Sequence, residues 1–168
     1  LVVKGNDHFD HDLQLTSSEL GQVSLQSLGY GSTIDGLANS AQFTNIAQVK
    51  IVLGSGTDSV QTNGLWLSDR LIIRTDLGDD TVQINGGQFD RLRIDTGGGN
   101  DNVLIDGATI DRRAKVIGGW GSDHVSIRNS LFGRKAIFEG GLDDESLELI
   151  SNYFAKGFDE DFELLSEL

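Results

Sequence analysis

The chain has 168 residues, the size of one domain, with 22 glycines and no cysteine, proline or methionine. The missing cysteines exclude a disulfide framework and thiol chemistry, and no apolar stretch is long enough to be inserted into a membrane. The net charge of −13 is concentrated in residues 139–168, where ten acids stand against one base, so the chain repels nucleic acid and anionic membranes.

Residues 1–48 hold strand-like runs without a regular repeat. A segment with glycine and aspartate, Gly5 to Asp10, precedes runs at Gln22 to Leu28, Ser32 to Leu37 and Ala41 to Ile46. Short runs bounded by turn residues are typical of strands. We therefore predict that residues 1–48 form a β cap, which includes one degenerate repeat unit and covers the first regular coil.

Two histidines of this cap lie among acidic residues. His8 and His11 are interspersed with Asp7, Asp10 and Asp12. Imidazole and carboxylate groups together can bind a metal ion. The alternative interpretation is a solvated polar turn, and the sequence leaves both open.

Residues 49–157 repeat with a period of 21 to 22 residues. The anchor of each unit is an acidic residue: Asp58, Asp80, Asp101, Asp123 and Glu145. Two residues after the anchor come Val60, Val82, Val103, Val125 and Leu147. Four after it come Thr62, Ile84, Ile105, Ile127 and Leu149, and nine after it come Leu67, Phe89, Ile110, Phe132 and Phe154.

These columns predict the fold. Apolar residues at alternate positions indicate strands, and the glycine clusters between them indicate tight corners. One unit cannot bury its apolar side alone, so the units must stack. The prediction is an all-β, right-handed single-stranded parallel β-helix of about five coils, with about three short strands per coil. Equivalent residues then form ladders about 4.8 Å apart.

The turn before each anchor resembles a known calcium-binding repeat. Gly118 to Ser126 fits the nonapeptide G-G-x-G-x-D-x-U-x of RTX repeats, and the turns at Gly54 and Gly97 lack only the first glycine. The resemblance implies that Ca²⁺ lies between stacked turns. Its ligands would be Asp58, Asp80, Asp101 and Asp123, with Asp76 and Asp79 as neighbours. The departure is that RTX turns recur every nine residues, whereas here one turn comes per coil.

The aspartate ladder has a second interpretation. Carboxylates about 4.8 Å apart repel one another by roughly 3.5 kcal/mol at an effective dielectric constant of 20, which favours a bound cation. Alternatively, each aspartate accepts backbone N–H groups of its own turn and needs no metal.

Basic residues form another column eleven or twelve residues after the anchor. Its members are Arg70, Arg91, Arg112, Arg134 and Lys156, with Arg93 and Lys115 on the following strand and Asp69, Asp90 and Asp111 beside them. This column predicts a basic stripe along one edge. Either it forms surface ion pairs between coils, or it lines a groove for an acidic polysaccharide.

No catalytic residues are predicted. The coil length resembles that of polysaccharide lyases and polygalacturonases, and Asp79, Asp80, His124 and Arg128 are similar to polygalacturonase residues. However, Asp80 already has a role in the turn, and the repeat carries no inserted loop that could wall a cleft. We expect no enzyme activity from this chain alone.

Residues 158–168 match no column and are expected to form an acidic tail or cap. The whole chain resembles the Gly/Asp-rich β-helical repeats of secreted bacterial surface proteins. That resemblance implies a non-catalytic extracellular or cell-surface module, structural or adhesive and stabilised by calcium, within a larger chain. Its partner would be a polysaccharide or another surface protein. The alternative is a polysaccharide-binding or polysaccharide-cleaving β-helix fragment.

Overall fold

The computed structural model of the protein describes residues 1–5, 9–28, 40–141, 143, 145–161 and 163–167, with side chains described as far as residue 160. The described residues form eighteen strands and no helix. The strands are β1 (Val2–Lys4), β2 (Asp12–Thr16), β3 (Val23–Ser27), β4 (Ser40–Phe43), β5 (Val49–Val52), β6 (Ser59–Asn63), β7 (Arg70–Arg74), β8 (Thr81–Asn85), β9 (Gln88–Gly98), β10 (Asn102–Asp106), β11 (Thr109–Trp120), β12 (His124–Arg128), β13 (Leu131–Phe132), β14 (Ala136–Gly141), β15 (Ser146–Ile150), β16 (Tyr153–Phe154), β17 (Phe158–Asp161) and β18 (Glu163–Glu167).

The strands form two sheets, which we call sheet A and sheet B. Sheet A has the order β1-β5-β7-β9-β11-β13-β16, and β14 and β17 extend it beside β11. Sheet B has the order β18-β15-β12-β10-β8-β6-β2-β3-β4. The chain alternates between the sheets as it advances, and consecutive strands of one sheet pair in parallel throughout the repeat. This confirms the predicted parallel β-helix, a solenoid of about five turns.

The register of sheet B follows the sequence period. Ser59 pairs with Thr81, Thr81 with Asn102, Asn102 with His124 and His124 with Ser146. Residues that share a repeat position therefore lie directly above one another, as predicted. Because side chains alternate between the two faces of a strand, one face of every coil points inward along the whole stack.

The inward residues fill the solenoid. The predicted valine column and the isoleucine column beside it are buried from Val60 and Thr62 to Leu147 and Leu149. Phenylalanines close the C-terminal half of the core, where the rings of Phe132 and Phe154 stack with centroids 4.7 Å apart. Burial of these side chains stabilises each coil only through its neighbours, as the repeat required.

The strand count per coil differs from the prediction. In the third and fourth coils, two of the three expected strands join into the single long strands β9 and β11. No glycine lies between Phe89 and Leu92, and β9 continues through this point. In the next coil Gly133 follows Phe132, and the chain does form two strands, β13 and β14.

The N-terminal residues extend the stack. Strands β1 and β2 pair in parallel with β5 and β6, so these two strands add one rung to each sheet. Strands β3 and β4 then add to sheet B in antiparallel fashion beyond β2. They correspond to two of the predicted cap runs, while the run from Ser32 to Leu37 lies outside the described residues.

The C-terminal residues also continue the stack. Strand β17 pairs in parallel with β14, and β18 pairs with β15 across one register shift. The segment after Gly157 therefore starts another coil. The strand register pairs Leu147 with Leu164, which is only 17 residues further along the chain, so the 22-residue period does not reach β18.

Candidate functional site

The anchor aspartates form a buried ladder at one corner of the solenoid. Each of them directly precedes a strand of sheet B, so the parallel register stacks them. Their relative exposures are 1% for Asp58, 1% for Asp80, 3% for Asp101 and 2% for Asp123. Carboxylates are almost never buried this deeply unless they are paired, so the ladder must be held by specific contacts.

Those contacts are hydrogen bonds between coils. The backbone N–H of Asp58 donates to Oδ1 of Asp80 at 2.7 Å, and that of Asp80 donates to Oδ1 of Asp101 at 2.8 Å. The N–H of Asp101 donates to Oδ1 of Asp123 at 3.0 Å. In one of the two interpretations of the ladder, each aspartate accepts N–H groups of its own turn. Instead, each carboxylate caps the turn of the coil before it and so ties successive coils together.

His11 occupies the first rung of this ladder. Asp12 pairs with Ser59, which places His11 beside Asp58. The His11 backbone N–H donates to Asp58 Oδ1 at 2.8 Å, and its Nδ1 lies 2.9 Å from the same oxygen. Sequence analysis did not place His11 in this column, because 47 residues separate it from Asp58 instead of 22. Leu13 and Leu15, two and four residues after His11, were the signal that could have revealed it.

The other carboxylate oxygen of each rung faces the interior. Oδ2 of Asp58, Asp80, Asp101 and Asp123 is buried, and for Asp58 and Asp123 no described residue hydrogen-bonds to it. Burial raises the pKa of Asp80 to about 6 and that of Asp123 to about 6, and it also raises the pKa of Asp101. The Thr75 hydroxyl beside Asp80, the Thr96 hydroxyl beside Asp101 and the N–H groups that donate to these carboxylates act in the opposite direction, but burial dominates.

The calcium prediction can be compared with this geometry. Ca²⁺ takes six to eight oxygen ligands, but each coil supplies one ladder carboxylate whose Oδ1 already accepts an N–H. In the described part of the chain, no group of three or more His, Cys, Asp or Glu side chains is placed to hold a metal ion. Calcium binding by Asp58, Asp80, Asp101 and Asp123 therefore stays a prediction.

The two neighbouring aspartates lie outside the ladder. Asp79 is exposed, and its Oδ1 accepts the backbone N–H of Asn100 at 2.7 Å. Asn100 in turn accepts the N–H of Ser122 at 2.9 Å, so an outer ladder runs in the opposite sense to the buried one. Asp76 is exposed, with a backbone φ of 72° at a position where the other coils carry glycine.

Two residues of the predicted N-terminal metal cluster, Asp10 and His11, contact different residues of the next coil. His11 contacts Asp58, and Asp10 accepts the N–H of Thr57 at 2.8 Å. His8 and Asp7 lie outside the described residues, so the predicted cluster is not tested as a whole.

A basic face covers the outer side of sheet A. Arg70 pairs with Arg91, and Arg91 pairs with Arg113, so these three arginines form one column across β7, β9 and β11. The next outward column holds Ile72, Arg93 and Lys115 in register. Between the two columns lies a cleft of about 230 Å³, lined by Arg70, Leu71, Ile72, Arg91, Leu92, Arg93, Arg113 and Lys115. We call it the basic cleft.

The arginine column differs from the predicted one in one member. We had assigned Arg112 to it, but a register shift between Ile110 and Arg113 places Arg113 opposite Arg91. One extra residue is accommodated there, and Arg112 turns to Asp90, with Nε 2.6 Å from Oδ1. Arg134 and Lys156 follow at their repeat positions but lie between strands, outside the residues that line the cleft.

Acidic residues surround most of the cleft cations. Arg70 pairs with Asp69 at 3.0 Å and Arg91 with Asp90 at 3.5 Å. Arg93 pairs with Asp95 at 2.7 Å, and Lys115 pairs with Glu139 at 2.6 Å. Arg113 is exposed and makes no ion pair or side-chain hydrogen bond with any described residue. The predicted surface ion pairing is thus present, but it leaves one cation of the column unneutralised.

The residues similar to those of polygalacturonases do not converge. Asp80 is buried in the ladder, while His124 lies two rungs away with Nδ1 2.7 Å from the Ser146 hydroxyl oxygen. Arg128 pairs with Glu148 at 2.8 Å. Hydrogen bonds and ion pairs of the sheet thus engage these groups, and they present no acid–base pair to a common point.

Comparison with protein-family models, with curated proteins and with solved structures finds no match to this chain. The described residues include no helix long and apolar enough to cross a membrane.

Proposed function

We propose that the chain is a non-catalytic β-solenoid module of a secreted or cell-surface protein, with a structural and adhesive role. The observation that carries this proposal is the uninterrupted stacking of coils from β5 to β15. No inserted loop interrupts residues 49–141, and each strand pairs with its equivalent in the next coil. Such a stack keeps outward residues at fixed spacings, which suits a surface that holds a partner without reacting with it.

The outward face of sheet B supports the same proposal. Gln14, Gln61 and Gln83 form a chain of side-chain hydrogen bonds at 3.0 and 3.4 Å. Asn85 donates to Asn63 at 3.1 Å in the neighbouring column. Polar groups that bond to their own equivalents stabilise the stack and are not poised as acids or bases for a substrate.

The experiment is a turnover assay against carboxylated, sulfated and neutral polysaccharides. We expect neither new reducing ends nor unsaturated products after prolonged incubation. Product formation that His124→Ala abolishes would overturn the proposal and favour the polysaccharide-cleaving alternative. Arg134→Ala, which changes an exposed residue outside sheet B's outer face, is the control for non-specific loss of protein.

The predicted calcium stabilisation has its own test, which is thermal unfolding in CaCl₂, in MgCl₂ and after EDTA treatment. A ligand that binds only the folded chain adds about 2.7 kcal/mol at a hundredfold excess over Kd. If calcium is held by the ladder, the midpoint should rise with Ca²⁺ but not with Mg²⁺, and Asp101→Asn should abolish the rise. Superimposable melting curves in all three conditions would refute the calcium prediction and leave the solenoid unaffected.

A further inference from the structure

We propose that the basic cleft binds a short segment of an acidic oligosaccharide, through the column of Arg70, Arg91 and Arg113. This inference rests on the adhesive role proposed above, for which it names the site and the class of partner. It is carried by the register of the arginines, by the free cation at Arg113 and by the shape of the cleft.

The arginine column lowers the stability of sheet A through repulsion between like charges. Like charges directly opposite one another on neighbouring strands destabilise a sheet. The glutamine column of sheet B, by contrast, holds neutral residues that hydrogen-bond to their equivalents, namely Gln14, Gln61 and Gln83. Three arginines in register therefore do not serve the stability of the stack. An anion that contacts two of them at once would remove the repulsion.

Carboxylates neutralise only part of the positive charge around the cleft. Its five cations, together with Arg74 and Arg112, share four carboxylates: Asp69, Asp90, Asp95 and Glu139. The face is therefore positive, although the chain as a whole carries a net charge of −13. The guanidinium groups also present planar forks that match carboxylate and sulfate oxygens in pairs. Arg113 offers such a fork without first breaking an ion pair.

The shape of the basic cleft suits a short stretch of a linear chain. The cleft runs across three consecutive strands, β7, β9 and β11, whose spacing is about 4.8 Å. Its volume of about 230 Å³ is smaller than the roughly 300–1,000 Å³ of pockets for drug-sized ligands. It therefore suits one or two rings of a linear chain, with acidic groups spaced along the solenoid axis. Ile72 supplies an apolar surface between the cations for the C–H groups of a ring.

Nucleic acid fits the cleft less well. Duplex DNA carries one charge per about 1.7 Å of axis, a much higher density than that of the arginine column, which offers one guanidinium per strand at a spacing of about 4.8 Å. Single strands are usually held by aromatic residues on which bases stack, and no aromatic side chain lines this cleft. An oligosaccharide with one acidic group per ring matches the cation spacing better.

The experiment measures binding of three hexasaccharides to the intact chain by titration calorimetry: a polyuronate, a sulfated glycosaminoglycan fragment and a neutral glucan. We expect one or both acidic ligands to bind and the neutral one not to bind. The two acidic arms distinguish carboxylate from sulfate recognition. Arg113→Ala should weaken binding about tenfold, which corresponds to about 1.4 kcal/mol.

The control is Lys4→Ala, which removes one positive charge from an exposed position in β1, four strands away from Arg113 in sheet A. It should change Kd by less than about twofold, since loss of a distant surface charge is screened by salt. An equal loss in both variants would overturn the inference, because it would reflect net charge alone. Failure of every acidic ligand to bind, or tighter binding of a single-stranded DNA hexamer, would overturn it as well. None of these outcomes depends on the turnover assay, so the proposed non-catalytic role is tested separately.

Discussion

At the scale of single side chains, two aspartates make the same kind of hydrogen bond at positions that differ in exposure. Asp101 and Asp79 each accept one backbone N–H from a neighbouring coil, at 2.8 and 2.7 Å. They differ in exposure, since Asp101 is buried and Asp79 is exposed. The same hydrogen bond should therefore matter more in the ladder, because water can replace it only at the outer position.

The first prediction follows from this pair. Asp101→Ala leaves the buried N–H of Asp80 unpaired and should lower the free energy of unfolding by about 1–3 kcal/mol. Asp79→Ala exposes its donor to water and should cost less than about 1 kcal/mol. Urea unfolding of both variants measures the difference. Equal losses would show that the ladder hydrogen bonds contribute nothing specific.

The second prediction concerns pH. The pKa values of Asp80 and Asp123 are about 6 in the folded chain, against about 3.9 in an unfolded one. Protonation therefore favours the folded state: the stabilisation is fully present below about pH 4 and is lost as the pH rises through about 6. The double variant Asp80→Asn/Asp123→Asn should depend less on pH across this range than the natural chain.

Thermal unfolding between about pH 4 and 8 measures this dependence. Because falling pH also reduces the repulsion among the surface acids, only the difference between the two chains is informative. Asp106→Asn, an exchange of a carboxylate outside the ladder on the outer face of β10, is the control. Parallel pH profiles of the double variant and the natural chain would refute the prediction.

Glycines determine how closely the coils approach at the scale of strands and turns. Gly78, Gly99 and Gly121 precede the ladder with φ values of 127°, 137° and 112°. A Cβ atom added to Gly99 would collide with the carbonyl oxygen of Gly78 in the coil below. This column thus requires glycine twice, for its backbone angle and for contact between backbones.

The third prediction separates those two requirements. Gly64 also has a positive φ, of 57°, but an added Cβ would meet nothing within 4 Å. Gly64→Ala should therefore cost about 1 kcal/mol, the penalty for a left-handed residue. Gly99→Ala should cost more than about 3 kcal/mol, because the coils must separate at that corner. Similar melting temperatures for the two variants would mean that the corner can relax.

The strands also show what the sequence could predict and what it could not. Stacking in register converts a period of 22 residues into a spatial column, so the core ladders and the aspartate ladder followed from spacing alone. The exchange of Arg112 for Arg113 could not be predicted, because both residues are basic and spacing does not reveal a bulge. The direction of the aspartate hydrogen bonds was also hidden, since a sequence gives the acceptor but not its donor.

At the scale of the whole molecule, each coil touches only the coils before and after it. Stability in such a stack is a sum of neighbouring interfaces, so the end coils lack one of the two interfaces that central coils have. The phenylalanine cluster from Phe132 to Phe158 strengthens the C-terminal half.

The fourth prediction is a gradient of protection. Amide hydrogens of β8, β10 and β12 should exchange with solvent most slowly, and those of β1 and β17 should exchange fastest, because local opening begins at the ends. Hydrogen exchange followed by mass spectrometry resolves these segments. Uniform protection along the chain would indicate a single cooperative unit and contradict independent neighbour interfaces.

The bulge at Arg112 has a further consequence for how such a chain changes length over generations. The coil from Asp80 to Asp101 is one residue shorter than its neighbours. The corner between Gln88 and Arg91 absorbs the difference, because Trp66 pairs with Gln88 but Arg70 pairs with Arg91, and Val103 and Ile105 keep their register. A deletion inside a strand would turn the core outward. Insertions and deletions at this corner are therefore tolerated, and gene duplication could copy or lose whole coils while the packing pattern is inherited intact.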